Sequence, residues 1–452
     1  MEGIEMKKKK LPLIALLLIA AMALTACGTG GGAATTQAAV TTQAAATEAA
    51  ATEAAATEAD ATQAAATQAA ATQAAATQAA EQQTTAAPAQ QSNLEASLAI
   101  NIEGVKSSDG QDVLLPLEGK QIPQRPADPE SLPETDLLHW YDMAYAGWGA
   151  ESKENIPESP KDGCIGKKAI VIINGDHPYL TAYSNGAKLA GDAYKMEIDV
   201  KSPNWDLNVQ NQMVDQAINA RPDIIILVAV DSMAAVQQFR KINQAGIPAI
   251  GSNMLTDAEA MKYMLTWSGP DDFGQMMMLA DAAGEMAGGE GGVCYMTHNP
   301  GGSPYYARYS YYQAELAAKY PNMKTLDVQS PGFEADKCRQ VASDWITRFG
   351  DELKVIQLAD DNAQATGAVE ACIAAGRTDI IITSAGNSKI GMDYLKSGDI
   401  NALTYQSAEA DGAIAVKLAA DWFNGKELED IYYLPQHIIT ASDVDNYMPA
   451  QW

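Results

Sequence analysis

The sequence predicts an α/β fold: two Rossmann-like lobes with parallel sheets and a ligand cleft between the lobes. Three observations predict it. From Lys167 onward, short Ile/Val runs alternate with helix-length segments, as in "AIVII" (169–173), "DIIILVAV" (223–230) and "KVIQLA" (354–359). Runs that are apolar at every position suit strands buried on both faces of a parallel sheet. The pattern also repeats. "LVAVDSMAAV" and "NQAGIPAIGSN" within 227–253 have counterparts in "QLADDNAQATGAV" and "AAGRTDIIITSAGN" within 357–387. Both run strand, Asp, helix, Ala-Gly, strand, then a Ser/Gly/Asn turn. Finally, a chain of 452 residues is too long for one ordinary domain.

Residues 1–27 read as a lipoprotein signal peptide. Lys7–Lys10 form a positive start, and Leu11–Leu24 form an apolar run too short to span a bilayer comfortably. Leu24-Thr25-Ala26-Cys27 resembles the bacterial lipobox. Cys27 is therefore expected to carry a lipid that holds the protein on the extracytoplasmic face of the cell membrane, with an ordinary signal peptide as the alternative. Cleavage removes four lysines and two glutamates and takes the net charge from −27 to −29. Residues 28–92 repeat "ATEAA" and "ATQAA" every five residues, a period that fits neither helix nor strand and offers no large apolar side chain. This tract is expected to be a tether, reaching roughly 45 Å as a flexible coil. Residues 93–165 carry prolines at 116, 123, 126, 129, 133, 157 and 160, and are expected to be an extension packing on the body. Within it, "LLHWYDMAYAGW" (137–148) is expected to form a strap, with Trp140 or Trp148 as a less favoured ligand contact.

The body then reads as strand 169–173, helix 179–194, strand 196–200, a helix with Val209, Met213, Val214, Ala217 and Ile218 on one face, strand 223–230, a helix to Ala245, and strand 247–251. After a helix ending near Ala287, the second set comprises strands "GGVCYM", "KTLDVQ", "KVIQLA" and "DIIITSAGN", each followed by a helix.

Searching the sequence for chemistry mostly excludes it. "GGSPY" (301–305) has Tyr305 where a nucleophile elbow needs glycine, and "GNSKIG" has the wrong spacing. "GCIGKK" lacks Walker spacing, and "GGEGG" precedes a strand where a dinucleotide fingerprint follows one. Asp360-Asp361 are neighbours in a loop and are expected to point apart. After Cys27, the cysteines 164, 294, 338 and 372 form no C-x-x-C pair and are expected to be buried free thiols; the four histidines are scattered, so neither metal nor cofactor is expected. The acidic balance, with a sequence pI near 4.4, excludes nucleic acid as a partner. What recurs instead is a polar or aromatic residue at the strands' carboxyl ends: Asp176, His177 and Tyr179 in "IINGDHPYLTAY" (172–183), then Asp231, Ser252, Asn253, Asp361, Asn362, Ser384 and Asn387. Neutral polyols are held in this way, by planar polar groups and an aromatic face.

From Lys167 to the C-terminus, the order of elements resembles the sugar-type periplasmic binding proteins of the ribose/galactose-binding group that feed ABC transporters; the resemblance implies three interlobe crossovers and lobes of 166–272 with 407–433, and 273–406 with 434–452. "DHPYL" resembles the family's Asn-Pro-Phe, which implies Tyr179 as a stacking ring, and Tyr183 lies four residues on. "IPAIGSN" implies a ligand role for Asn253. "ARYSYY" resembles the Arg-x-x-Gly-Phe helix start and implies Arg308 as hydroxyl donor. "SPGFEADK" implies Phe333 at the cleft wall, "ADDNAQATGA" implies Asp361, and "ALTYQS" implies Gln406 at the last interlobe crossing. With Asp176, His177 and Asn387 these form the expected ligand set. Three departures stand out: Asp176-His177 replaces asparagine, Asn253 replaces aspartate, and Ala385 stands where the family has the aspartate of "GFDG".

The expected function is capture, with no enzymatic turnover: a monomer closing on a sugar or sugar-like ligand and delivering it to an ABC permease. The alternatives are a lipoprotein presenting a sugar, nucleoside or autoinducer to a chemoreceptor or sensor kinase, an anchored hydrolase, and an adhesive surface lipoprotein. A transcription regulator of the same fold is opposed by the lipobox and the lack of a helix-turn-helix. Arg308→Ala is expected to abolish the ligand response with little change in the unliganded melting temperature.

Overall fold

The computed structural model describes residues 90–117, 123–145 and 153–452. The signal peptide, Cys27, nearly all of the tether and Trp148 lie outside the described residues. The described residues fall within one compact unit, Ala76–Trp452.

Two six-stranded sheets organise this unit. The first contains β1 (Lys168–Ile172), β2 (Glu197–Lys201), β3 (Ile224–Leu227), β4 (Ala249–Ser252), β5 (Thr266–Gly269) and β11 (Ile431–Tyr433), in the order β11-β5-β4-β3-β1-β2 and parallel throughout. The second contains β6 (Glu290–Met296), β7 (Asn322–Gln329), β8 (Leu353–Leu358), β9 (Ile381–Ser384), β10 (Ala402–Thr404) and β12 (Ile438–Ile439), in the order β12-β10-β9-β8-β6-β7. Only the β10–β12 pair among them is antiparallel. The two orders are the same doubly wound pattern, so the repeat in the sequence is a repeat in space.

Strand periodicity explains the layers. In β1, Ile170 and Ile172 join a core on one sheet face while Ala169 and Val171 join a core on the other; β3 divides Ile225 and Leu227 from Ile224 and Ile226 in the same way. Helices α1 (Pro178–Tyr194), α2 (Leu207–Ala220) and α3 (Ala235–Gln244) follow the first three strands. In the second lobe α4 (Asp272–Met286) precedes β6. The helix α5 then runs through Ser303–Tyr306, a π-helical turn at Ala307–Tyr311, and Tyr312–Lys319. Helices α6 (Ala335–Phe349), α7 (Ala363–Ala375) and α8 (Lys389–Ser397) alternate with β7 to β10, and α9 (Ala408–Phe423) returns to the first lobe.

The chain crosses between lobes after β5, after β10 and after β11. Gln406 therefore stands at the second crossing, not the last. Helices α1 and α9 pack backbone to backbone there: a Cβ on Gly186 would lie 1.9 Å from the Glu409 carbonyl, and one on Gly412 would lie 1.9 Å from the Tyr183 carbonyl. That close approach sets Asp411 of α9 beneath Tyr179 of α1.

Part of the extension is built into this body. Ile102 and Val113 are buried in the first-lobe core, and Leu115 packs against cores of both lobes. Leu137, Trp140 and Met143 pack against the core shared by the lobes. Cys164, Cys294, Cys338 and Cys372 are free and buried. Among the described residues, no helix is long and apolar enough to cross a membrane.

Candidate functional site

In a doubly wound sheet the strand order reverses beside the first strand, and the loops leaving the carboxyl ends there diverge and open a crevice. Here the crevices of the two lobes face each other. The resulting cleft measures about 570 Å³, counting its mouth.

The first lobe supplies the loop after β1. Asn174, His177, Tyr179 and Leu180 line the cleft. Pro178 opens α1, and His177 caps it by accepting the Tyr179 N–H at Nδ1 (3.2 Å). With Nδ1 an acceptor, Nε2 carries the proton and faces Asp360 Oδ1 of the second lobe at 3.3 Å. Trp205, after β2, is held at φ +66 with its indole over Gly175, where a Cβ would lie 2.1 Å from the ring. A positive φ on so bulky a residue is a strained conformation that the surrounding contacts must hold in place. Asn253, at φ +60 after β4, completes this wall with Met254.

From the second lobe come His298, Pro304, Arg308, Phe333, Asp360, Ala385 and Gly386. Rings gather across the gap: Phe333 lies 4.9 Å from His298, 6.0 Å from His177 and 6.4 Å from Trp205. Arg308 is held by Asp272 Oδ1, which accepts from Nε (3.1 Å) and Nη2 (2.9 Å), and by the Ala359 carbonyl. Gln406 donates to the same Asp272 oxygen at 3.2 Å. Both carboxylates of the cleft therefore face a protein donor. Burial would raise Asp360, but the hydrogen bond from His177, with those from the N–H groups of Gln364 and Ala363, holds it below its ordinary value. Burial, reinforced by the Arg308 charge, pushes His298 down to about 3, so its ring is neutral.

Beneath the first-lobe wall lies Asp411, fully buried. Its Oδ2 accepts the Tyr179 hydroxyl (2.8 Å) and the Asn253 amide (2.6 Å). Burial pushes this carboxyl up to about 7, against the pull of those two hydrogen bonds. Tyr179 thus turns its hydroxyl into the lobe and leaves its ring to the cleft.

Of the residues expected from sequence, the cleft gathers His177, Tyr179, Asn253, Arg308, Phe333 and Gln406. Four lie elsewhere. Asp176 is exposed and accepts from Ser202. Tyr183 faces the sheet, its hydroxyl donating to Ser252 in the core. Asp361 turns back into the lobe, where Ser388 N–H donates to it, and its neighbour Asp360 takes the cleft position. Asn387 is buried behind the cleft and accepts the Gln406 N–H, which fixes the crossing loop. Trp140 lines a separate hollow with Asp231 and Tyr306. The expectation for Arg308→Ala also changes. Arg308 and Asp272 form a mostly buried pair, so removing one partner strands the other and lowers unliganded stability. Sequence reasoning missed Asn174, Trp205, Asp272, His298, Asp360 and Trp452; the Trp in the "SPNWDL" turn was a signal for the second of these.

Two doubly wound lobes, joined by three crossings across a polar and aromatic cleft, define a two-lobed binding protein. A family model described as a periplasmic binding protein domain matches residues 168–427, more than half of the chain, and the chain belongs to that family, with sugar-type relatives. The xylitol-binding protein of Mycolicibacterium smegmatis is 26% identical over 285 residues, covering 62% of this chain and 78% of its own. The D-ribose/D-allose-binding protein of Pseudomonas aeruginosa is 24% identical over 304 residues, covering 63% and 90%. An ABC transporter solute binding protein from Bacillus halodurans, solved with bound myo-inositol, shares the fold with a TM-score of 0.59 at 21% identity, over 64% of this chain and 99% of its own.

Proposed function

We propose that this chain is a lipid-anchored extracytoplasmic protein that captures a neutral sugar or polyol by lobe closure and delivers it to an ABC permease. The observation that carries the reading is Asn174. It is 1% exposed, it lies on the cleft wall, and its Oδ1 has no hydrogen-bond partner. A buried acceptor of this kind calls for a hydroxyl. Around it stand the residues we assign to the ligand: His177, Tyr179, Asn253, Arg308, Phe333 and Gln406. Rings cover C–H surface, and planar polar groups take hydroxyls. The engagement of Asp272 by Arg308, and of Asp360 by His177, supports an uncharged ligand, since an anionic one would enter beside both carboxylates. The names of the relatives, which bind xylitol or ribose and allose, support the same class. In this reading residues 166–272 with 407–433 move against 273–406 with 434–452, and the ligand drives closure by binding the closed state more tightly. Cys27 bears the lipid, and residues 28–92 give the body reach from the membrane.

A thermal-shift screen over pentitols, pentoses, hexoses, inositols, nucleosides and uronates, followed by calorimetry and product analysis, tests the reading. A saturable shift with a neutral polyol and no product is expected. Turnover of a bound compound, or shifts with uronates alone, would overturn it.

A further inference from the structure

We propose that Trp452, from the tail beyond the family-matched residues, is a ligand-contacting and specificity-determining residue: its indole forms one aromatic face of the cleft, and its Nε1–H donates to a ligand hydroxyl. The inference rests on the sugar-binding reading and deepens it. Trp452 lines the cleft, and its Nε1 is buried without a hydrogen-bond partner. Its ring meets Tyr179 edge to face at 5.3 Å and His177 at 5.6 Å. A buried unpaired donor on one wall and the unpaired Asn174 oxygen on another are what a single polyhydroxyl ligand satisfies, because each hydroxyl both donates and accepts.

The tail is built to hold the ring there. The Trp452 carbonyl accepts the Lys389 N–H at the start of α8 in the second lobe. Gln451 accepts the Glu409 N–H (2.9 Å) at the crossing and donates to Asp109 (2.8 Å) of the extension. Gly386 leaves space for Asp361 and the ring together, since a Cβ there would stand 2.5 Å from Asp361 Oδ1 and 3.0 Å from Trp452 Cη2. Trp452 and His177 also line a second, outer groove, wide open to solvent, with Asp176, Thr181 and Asn185. These two side chains are therefore the partition between the cleft and that groove. Trp452 thus limits ligand length as well as binding the ligand.

The test compares wild type, Trp452→Phe and Trp452→Ala by calorimetry against xylitol, D-ribose, D-allose and myo-inositol, and against the methyl glycosides of the two aldoses. Urea midpoints are measured alongside. Trp452→Phe keeps a ring and loses the donor, so affinity should fall by roughly 3- to 20-fold with little change in midpoint. Trp452→Ala should fall by roughly 100-fold for the parent sugars, with the methyl glycoside gaining relative to its parent. If wild type binds a probe and both variants bind it equally well, with unchanged glycoside preference, the inference fails and the sugar-binding reading stands. If wild type binds neither these probes nor any neutral compound in the thermal-shift screen, both fail.

Discussion

Asp411 gives the sharpest quantitative prediction. It sits fully buried under the cleft wall, and its folded-state pKa is raised from the ordinary 3.8 to about 7. The shift is roughly three units, and at about 1.4 kcal/mol per unit it represents on the order of 4 kcal/mol. The sign follows from linkage. Below pH 3.8 the carboxyl is protonated in both states, and the favourable contribution of holding the proton is fully present. As pH rises, the unfolded chain ionises first while the folded chain keeps its proton, so stability is lost progressively until pH passes about 7. Asp411→Asn is nearly isosteric, retains an oxygen for Tyr179 and Asn253, and does not titrate. The stability of wild type relative to Asp411→Asn should therefore fall by about 4 kcal/mol between pH 4 and pH 8, with a slope of at most about 1.4 kcal/mol per unit. Urea unfolding of both proteins across that range measures it, and subtraction cancels every other titrating group. A difference that stays flat from pH 4 to pH 8 would refute the argument, and with it the claim that burial keeps Asp411 protonated up to about pH 7.

Two further predictions concern the bonds that position the cleft residues. Arg308→Ala should lower unliganded stability by about 3 kcal/mol, because Asp272 is left buried with Gln406 as its remaining side-chain donor; the double variant with Asp272→Asn should recover part of this, and a double-mutant cycle in urea that gives no coupling would remove the pair from the account. His177→Asn keeps an acceptor to cap α1 but is too short to reach Asp360, so the unliganded lobes should shift toward the open form by roughly 10-fold, about the value of a hydrogen bond to a charged group. Small-angle scattering or a dye pair spanning the lobes reads this directly, and an unchanged profile would count against the bond as a closing contact.

The sheets were legible because burial on both faces leaves a mark at every residue. Ile224, Ile225 and Ile226 cannot be placed on a soluble surface, so the run declares a central strand whatever surrounds it. Strand β5 left no such mark. Thr266-Trp267-Ser268-Gly269 is polar at alternate positions, and it is a strand because β4 and β11 flank it, with Ile250 opposite Thr266 and Ile431 opposite Trp267. The site was legible where one loop determines a residue's place, as with His177 and Tyr179. It was not legible where direction depends on the backbone path or on a distant partner. Asp360 and Asp361 are chemically the same, and only the turn out of β8 decides which faces the cleft. Tyr183, four residues after Tyr179, is carried round the helix far enough to meet Ser252 instead. Trp205 needs a left-handed backbone that no propensity favours, and Trp452 arrives from the far end of the chain.

The replacement of the family's asparagine by Asp176-His177 takes a different meaning in this geometry. Asp176 leaves the site altogether, while His177 spends its Nε2–H on the opposite lobe. A group that would otherwise be free for the ligand thus stabilises closure itself. A bond between lobes favours the closed form with or without ligand, so it cannot alone make closure depend on ligand. The dependence must come from contacts a ligand makes to both lobes at once, to which any group that closure leaves unpaired adds. Asn174 Oδ1 and Trp452 Nε1 are both buried in the closed cleft and lack partners there. Wherever closure strips water from such a group it costs about 1–3 kcal/mol, and a ligand hydroxyl removes that cost. The His177–Asp360 bond and the two unpaired groups therefore oppose each other when the cleft is empty and act together when it is filled. On the proposed function, that arrangement would let a neutral ligand, with no charge to contribute, shift the balance between open and closed.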